Sequence, residues 1–240
     1  MRGLMTIPSL SPITFRDPRP EDYPYPDVNV HVRAYWEHGP PVVVGAHAEQ
    51  YRSSWSDLFE KKQPMHLEVG SGNGFYLAGM AERFPDINWM GVELRYKRVM
   101  LAAKKIEHSS LSNARILRYD AWKLQELFGE DSLSGLHTNH PDPWSRERQS
   151  KKRLLGEKFA QWAALALKSD AEWRIKTDFL PHIEAMLEVI KGHPFELLGR
   201  CDNLKEQEPP WGGDSDIITN YQKRFFDKGL PVYALWLRRR

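Results

Sequence analysis

Cysteine is nearly absent: Cys201 is the only one in 240 residues. An internal disulfide framework is therefore excluded, and the composition fits a reducing compartment. Long apolar runs are missing as well. None approaches the ~18 residues of a membrane-spanning helix, and Met1 to Leu10 has no apolar core of the signal-peptide kind. The cytoplasm is the expected location, with no membrane partner. Excess charge is also lacking, because Lys and Arg outnumber Asp and Glu by a net +2 only. Any nucleic-acid binding must then come from local clustering of basic residues. No metal site is expected from the histidines. His137 and His140, the closest pair, sit three apart on a predicted strand and so face opposite sides. His66 and His182 read as structural residues, and no Ser-His-Asp or Cys-His arrangement stands out.

What is present is ordinary globular composition, 41% hydrophobic and 28% charged, in a chain long enough to bury a full core. Proline is unevenly spread: Pro8, Pro12, Pro18, Pro20, Pro24, Pro26, Pro40 and Pro41 all fall in the first 41 residues. Fixed φ and missing amide donors exclude a regular helix or central strand there. This stretch reads as an extended arm whose aromatics (Phe15, Tyr23, Tyr25, Tyr35, Trp36) pack on the domain or stack on bases. Val42 to Glu60 reads as a helix leading in, so residues 1–60 form the appendage and residues 61–240 the main domain.

From Met65 strands and helices alternate. MHLEVG, INWMGVEL, ARILRYD, Gly135 to Asn139, AEWRIKTD, FELLGRCD and PVYALWL read as strands. Helical spacing marks Phe75 to Phe84, the Val99–Ile106 face, Trp122 to Phe128, the Leu155–Ala166 face and the Ile183–Ile190 face. This is the pattern of a doubly wound, Rossmann-like α/β sheet of seven strands. A roughly 25-residue loop without a clear crossover helix precedes the last strand, which is expected to run antiparallel.

Three acidic positions fall at predicted strand ends, where open α/β sheets bind ligands. Glu68-Val69-Gly70-Ser71-Gly72-Asn73-Gly74 joins the first strand to the first helix, and Gly70 and Gly72 let a ligand approach the backbone. Glu93 ends the second strand, where a carboxylate accepts from ribose hydroxyls. Asp120 ends the third, placed to meet a base. A glycine-rich turn alone says little, but the three together indicate a nucleoside cofactor. The spacing is Gly-x-Gly-x-Gly after an acid, which would repel a pyrophosphate and suits a cationic sulfonium ligand. No Gly-Lys-Ser/Thr follows, so a P-loop is excluded. The turn resembles the first motif of S-adenosylmethionine-dependent methyltransferases with Rossmann-like sheets.

After the fourth strand comes LHTNHPDPWSRERQSKKRLL, residues 136–155. Prolines at 141 and 143 bias His140 and Asp142 to extended conformations. A basic helix is expected to follow, since Arg146, Arg148, Lys151, Lys152 and Arg153 against Glu147 make +4. An acid held between prolines beside a cationic surface suits a polyanionic substrate. The run PDPWSRERQSKKRLL resembles the Pro-Asp-Pro-Trp and basic-helix signature of the tRNA (guanine-N7-)-methyltransferases. Lys176-Thr177-Asp178 and Thr219-Asn220-Tyr221-Gln222 also match that family's pattern, in the right order, and the likeness runs from about Leu67 to the C-terminus. The resemblance implies methyl transfer to N7 of a tRNA guanosine, at position 46 of the variable loop. It assigns Glu68, Gly70, Gly72, Glu93, Asp120 and Asp142 to S-adenosylmethionine, with Asp142 also catalytic. Arg146, Asp178 and residues 219–222 would hold the guanosine, and Arg148, Lys151, Lys152 and Arg153 the RNA backbone. Monomer and homodimer both stay open.

The chain departs from the family in places. Arg146 stands where a lysine is usual, His140 where a phenylalanine is, and Gln149 where a histidine is. Gln222 replaces a glutamate, keeping an acceptor oxygen but losing the charge. A same-fold methyltransferase acting on another RNA, or a catalytically weakened RNA-binding homologue, are the alternatives this leaves.

Overall fold

A computed structural model describes residues 10–22, 30–52 and 54–240. Its centre is an eight-stranded sheet in the order β1-β4-β3-β2-β5-β6-β8-β7. The strands are β1 (Val42–Val43), β2 (Met65–Val69), β3 (Asn88–Glu93), β4 (Ala114–Arg118), β5 (Leu133–Asn139), β6 (Leu167–Thr177), β7 (Phe195–Cys201) and β8 (Tyr233–Arg239). β1 to β6 pair in parallel. β8 lies antiparallel between β6 and β7, which agrees with the expected reversal of the last strand.

The parallel strands are covered on both faces, which is why they read as nearly continuous apolar runs; every residue of β3 is buried. One face packs α1 (Val30–Glu37), α2 (Phe75–Arg83) and α3 (Tyr96–His108) around Tyr35, Trp89, Val99 and Ile116. The other packs α4 (Glu157–Ala166) and α5 (Leu180–Val189) around Leu67, Phe128, Phe159 and Trp173. Burial of one such large side chain stabilises by about 1.5–3 kcal/mol. Trp173 adds a hydrogen bond from its indole nitrogen to Thr138 Oγ1 at 3.1 Å, so its polar atom is not stranded in the core.

Several expectations are corrected. Val42 to Glu60 is not an α-helix. It holds β1, which adds an eighth strand beside β4, followed by 3-10 turns at Gly45–Tyr51 and Trp55–Leu58. The β-branched run Val42-Val43-Val44 favours extended backbone, and Ile116 N donates to Pro41 O at 3.0 Å to start the pairing. The proline-rich stretch contains a helix after all, because α1 occupies its proline-free interval. The long loop before β8 contains α6 (Asn220–Asp227), capped by Thr219. The basic segment after the Pro-Asp-Pro-Trp turn forms only a 3-10 turn, Glu147–Lys152. Like charges one helical turn apart, such as Arg148 and Lys152, disfavour a longer helix. Phe15, Tyr35 and Trp36 of the arm pack on the domain, while Tyr23 and Tyr25 lie outside the described residues.

Candidate active site

A cleft of about 670 Å³ opens where β2, β3, β4 and β5 end, bordered by Gly70, Glu93, Asp120, Asn139, Asp142 and Trp144. Gly70, Gly72 and Gly74 all have positive φ, between 56° and 77°, a conformation that costs other residues steric strain. At Gly74 space is limiting too, since a Cβ there would sit 2.6 Å from that of Ala102 in α3. Space and conformation together require glycine at position 74, while at 70 and 72 another residue would carry backbone strain without a clash.

Glu93 locks this turn to β3. Its Oε2 accepts from Gly72 N at 3.1 Å and its Oε1 from Arg95 N at 2.8 Å. Each oxygen keeps a lone pair for a further donor. Asp120 accepts from Trp122 N at 3.0 Å, and Trp122 stands 42% exposed beside it as a flat apolar surface. Glu68 lies under the cleft wall rather than on it. It is buried, its Oε1 accepts from Asn139 Nδ2 at 3.0 Å, and its Oε2 has no partner. Burial pushes its carboxyl up to about 7, against opposing hydrogen bonds from Asn139 and Ser71 and the attraction of Lys176. Asn139 was not singled out from sequence; its place at the end of β5, like Glu93 and Asp120 on theirs, was the available signal.

The Pro-Asp-Pro-Trp turn differs from its expected conformation. His140 takes φ 49° and Trp144 φ 40°, so the proline bias to extended backbone fails at His140. Such a residue costs on the order of 1–3 kcal/mol. Its surroundings hold it there: His140 N donates to Lys176 O at 2.7 Å, its ring meets Asp178 Oδ1 at 3.4 Å, and Tyr221 packs 4.7 Å away. Burial lowers the His140 pKa despite the opposing bond to Asp178. Asp142 projects exposed into the cleft between the two strained residues.

The basic residues divide. Arg146, Arg148, Lys151 and Lys152 are exposed, and Lys152 lies 4.9 Å over the Trp144 ring. Arg153 turns inward instead. Its guanidinium donates to Pro143 O and Trp144 O at 3.2 Å and lies over Phe179, so it braces the turn.

Around α6 the expected residues also separate. Thr219 Oγ1 accepts from Gln222 N at 3.0 Å, the N-terminal half of a Thr-x-x-Gln capping box. Asn220 and Tyr221 are exposed on the same turn. Gln222 is buried and its Oε1 accepts from Lys176 Nζ at 3.3 Å. Lys176 in turn pairs with Asp216 at 2.9 Å and lies 4.7 Å over Tyr76. Burial lowers the Lys176 pKa, and the Asp216 charge opposes that. Sequence reasoning noted Lys176 only as part of a motif and missed Asp216. Next to this cluster, His137 Nδ1 lies 3.1 Å from the Tyr76 hydroxyl, and His66 and His137 meet at 3.1 Å. Burial takes His66 down to about 4 and His137 well below its ordinary value, so the pair is neutral and structural.

A family described as "putative methyltransferase" matches residues 62–235. A tRNA (guanine-N(7)-)-methyltransferase of Brevibacillus brevis is 31% identical over 185 residues, 77% of this chain and 85% of the relative. One of Macrococcus caseolyticus is 35% identical over 183 residues, 76% of this chain and 85% of its own. Among solved structures the 16S rRNA methyltransferase KamB aligns with a TM-score of 0.59 at 16% identity, over 78% of this chain and 93% of that one. That likeness establishes the fold.

Proposed function

This chain belongs to the tRNA (guanine-N7-)-methyltransferase family, and from that premise we propose how its own residues carry the reaction. The enzyme transfers a methyl group from S-adenosylmethionine to N7 of a guanosine in tRNA. We assign that guanosine to position 46 of the variable loop, the enzyme to the cytoplasm, and the catalytic domain to residues 61–240.

The cleft fits this cofactor. Its carboxylates suit a cationic amino acid joined to a nucleoside: Glu93 and Asp120 at adjacent strand ends for ribose and base, and the unpartnered Glu68 oxygen beside Asn139 for positive charge. Gly70 and Gly72 bring backbone within reach of the ligand. When bound, S-adenosylmethionine supplies an electrophilic methyl carbon on a sulfonium, which the guanine N7 lone pair attacks as the carbon–sulfur bond breaks.

N7 carries no proton, so the protein needs no strong base; it must align two ligands, which is catalysis by positioning. Asp142 projects into the cleft and carries negative charge to where the purine ring becomes positive. Asp178, aimed by His140, is placed to accept from the N1–H and N2 amino edge of guanine. Tyr221 packs on His140 beside it, and we assign Arg146 and residues 219–222 to the same guanosine. Arg148, Lys151 and Lys152 bind the RNA backbone, a contact that is salt-sensitive and carries little sequence information.

The observation that carries this reading is the arrival of Asp142 in one cleft with Glu93 and Asp120. The test uses unmodified tRNA transcripts and labelled S-adenosylmethionine, with the product nucleoside mapped. Label at N7 of a variable-loop guanosine that vanishes in Asp142→Ala is the expected result. Tight tRNA binding without transfer would overturn it.

A further inference from the structure

The matched family region begins at residue 62, yet polar contacts of the preceding arm reach residues that adjoin Arg95, Tyr119 and Asp120 of the cleft lining. Asp17 has a fully buried side chain. It pairs with Arg118 Nη1 at 2.5 Å and accepts from the hydroxyls of Tyr35 and of Tyr96, the latter at 3.1 Å. Tyr96 also donates to Pro18 O at 2.9 Å, and its ring lies 3.8 Å from the Arg118 guanidinium. Phe15 packs on Tyr119, with ring centroids 4.2 Å apart. Glu126 accepts from Thr14 N at 3.1 Å, from Phe15 N at 3.3 Å, from the Thr14 hydroxyl, and from Tyr119 Oη at 2.6 Å. Burial raises the Glu126 pKa, but these hydrogen bonds outweigh it and hold the carboxyl below its ordinary value.

The partners of the arm are not scattered. Arg118 and Tyr119 are the two residues before Asp120, and Tyr96 opens α3 just after Glu93 and Arg95. Glu126 closes the 3-10 turn Ala121–Glu126 that begins at Asp120 and carries Trp122. Tyr119 itself borders the cleft. The cleft wall that presents Asp120 and Trp122 is therefore fixed at one end by β4 and at the other by Thr14 and Phe15. Without the arm, Glu126 loses every one of these bonds except that from Tyr119, and the buried Arg118 loses its carboxylate. Uncompensated buried charge is costly, so that wall would shift to reach water or other partners.

We propose that Thr14 to Pro18 is a positioning element of the methyl-donor cleft, with Phe15 setting the place of Tyr119 and thereby of Asp120 and Trp122. This rests on the reading of the cleft given above. The arm acts on the nucleoside end of the cofactor and leaves the Asp142 side, where guanosine reacts, untouched.

The test is Phe15→Ala in the full chain. Calorimetric titration with S-adenosylhomocysteine gives Kd, and steady-state methylation of tRNA gives kcat and both KM values, all well below the melting temperature. Kd for S-adenosylhomocysteine and KM for S-adenosylmethionine are expected to rise about tenfold, equivalent to about 1.4 kcal/mol. With saturating cofactor, kcat and the KM for tRNA should stay within about twofold. Phe15→Leu, which restores an apolar contact, should recover most of the affinity. A merely structural arm would lower the melting temperature of Phe15→Ala and leave Kd unchanged, and that result overturns the proposal. Should Phe15→Ala fail to fold, Thr14→Val, which removes only the hydroxyl bond to Glu126, is read by the same criteria. Wild-type protein that binds no S-adenosylhomocysteine would sink the cleft assignment itself. Wild-type binding that both variants leave intact would sink only the role of the arm.

Discussion

If Glu68 faces the cofactor's positive charge as proposed, cofactor binding should be a proton-linked event. The Glu68 carboxyl is buried, one oxygen has no partner, and burial pushes its pKa up to about 7 against an ordinary 4.5. A raised carboxyl pKa means that the folded state binds the proton more tightly than the unfolded state does. Its stabilising contribution is then fully present below pH 4.5 and is lost as pH rises through about 7. At roughly 1.4 kcal/mol per pKa unit the loss is about 3 kcal/mol. A cation seated beside Asn139 would favour the ionised carboxylate, so binding should expel the proton. At about pH 6 Glu68 is mostly protonated without ligand, and close to one proton should leave per ligand bound. Titration calorimetry with S-adenosylmethionine in buffers of different ionisation heat measures this number directly. The apparent heat should vary with buffer at about pH 6 and cease to vary near pH 8. Glu68→Gln should abolish the variation and flatten the stability profile between pH 4.5 and 7. Heats independent of buffer in the wild type, or equal buffer dependence in Glu68→Gln, would refute the reasoning.

Asp142→Ala should lower kcat on tRNA by about a hundredfold or more, while calorimetry shows cofactor affinity changed only a few-fold. Asp216→Asn leaves the Lys176 ammonium buried without its carboxylate, and denaturant unfolding should show a loss of about 3–5 kcal/mol. Lys151→Ala and Lys152→Ala should each weaken tRNA binding at low salt and flatten the dependence of log affinity on log salt by just under ~1. An unchanged slope would remove them from the RNA surface. Arg153→Ala should behave oppositely in the same assays: kcat falls because the Pro-Asp-Pro-Trp turn loses its brace, and the salt slope stays near that of the wild type.

The parts of the molecule legible from sequence are those governed by local rules. Strand ends could be placed because apolar runs stop at them. Gly70, Glu93 and Asp120 therefore came out on one edge of the sheet, and the antiparallel last strand followed from the missing crossover. What escaped was set by contacts between distant residues. The Arg118 partner of Asp17 is 101 residues away and the Glu126 partner of Thr14 is 112 away, and no periodicity encodes such pairings. His140 defied the rule for residues before proline because Lys176, Asp178 and Tyr221, all remote in sequence, hold it. Gln222 shows the same limit from another side. Its sequence position suggested a weakened grip on guanine, since an amide replaces a carboxylate. In the fold that amide faces Lys176, whose charge Asp216 already balances, and its backbone completes a helix cap. A glutamate there would place a second carboxylate beside one buried ammonium, with the partly charged Glu68 close by. The neutral residue is thus accounted for by the charge balance of a buried cluster.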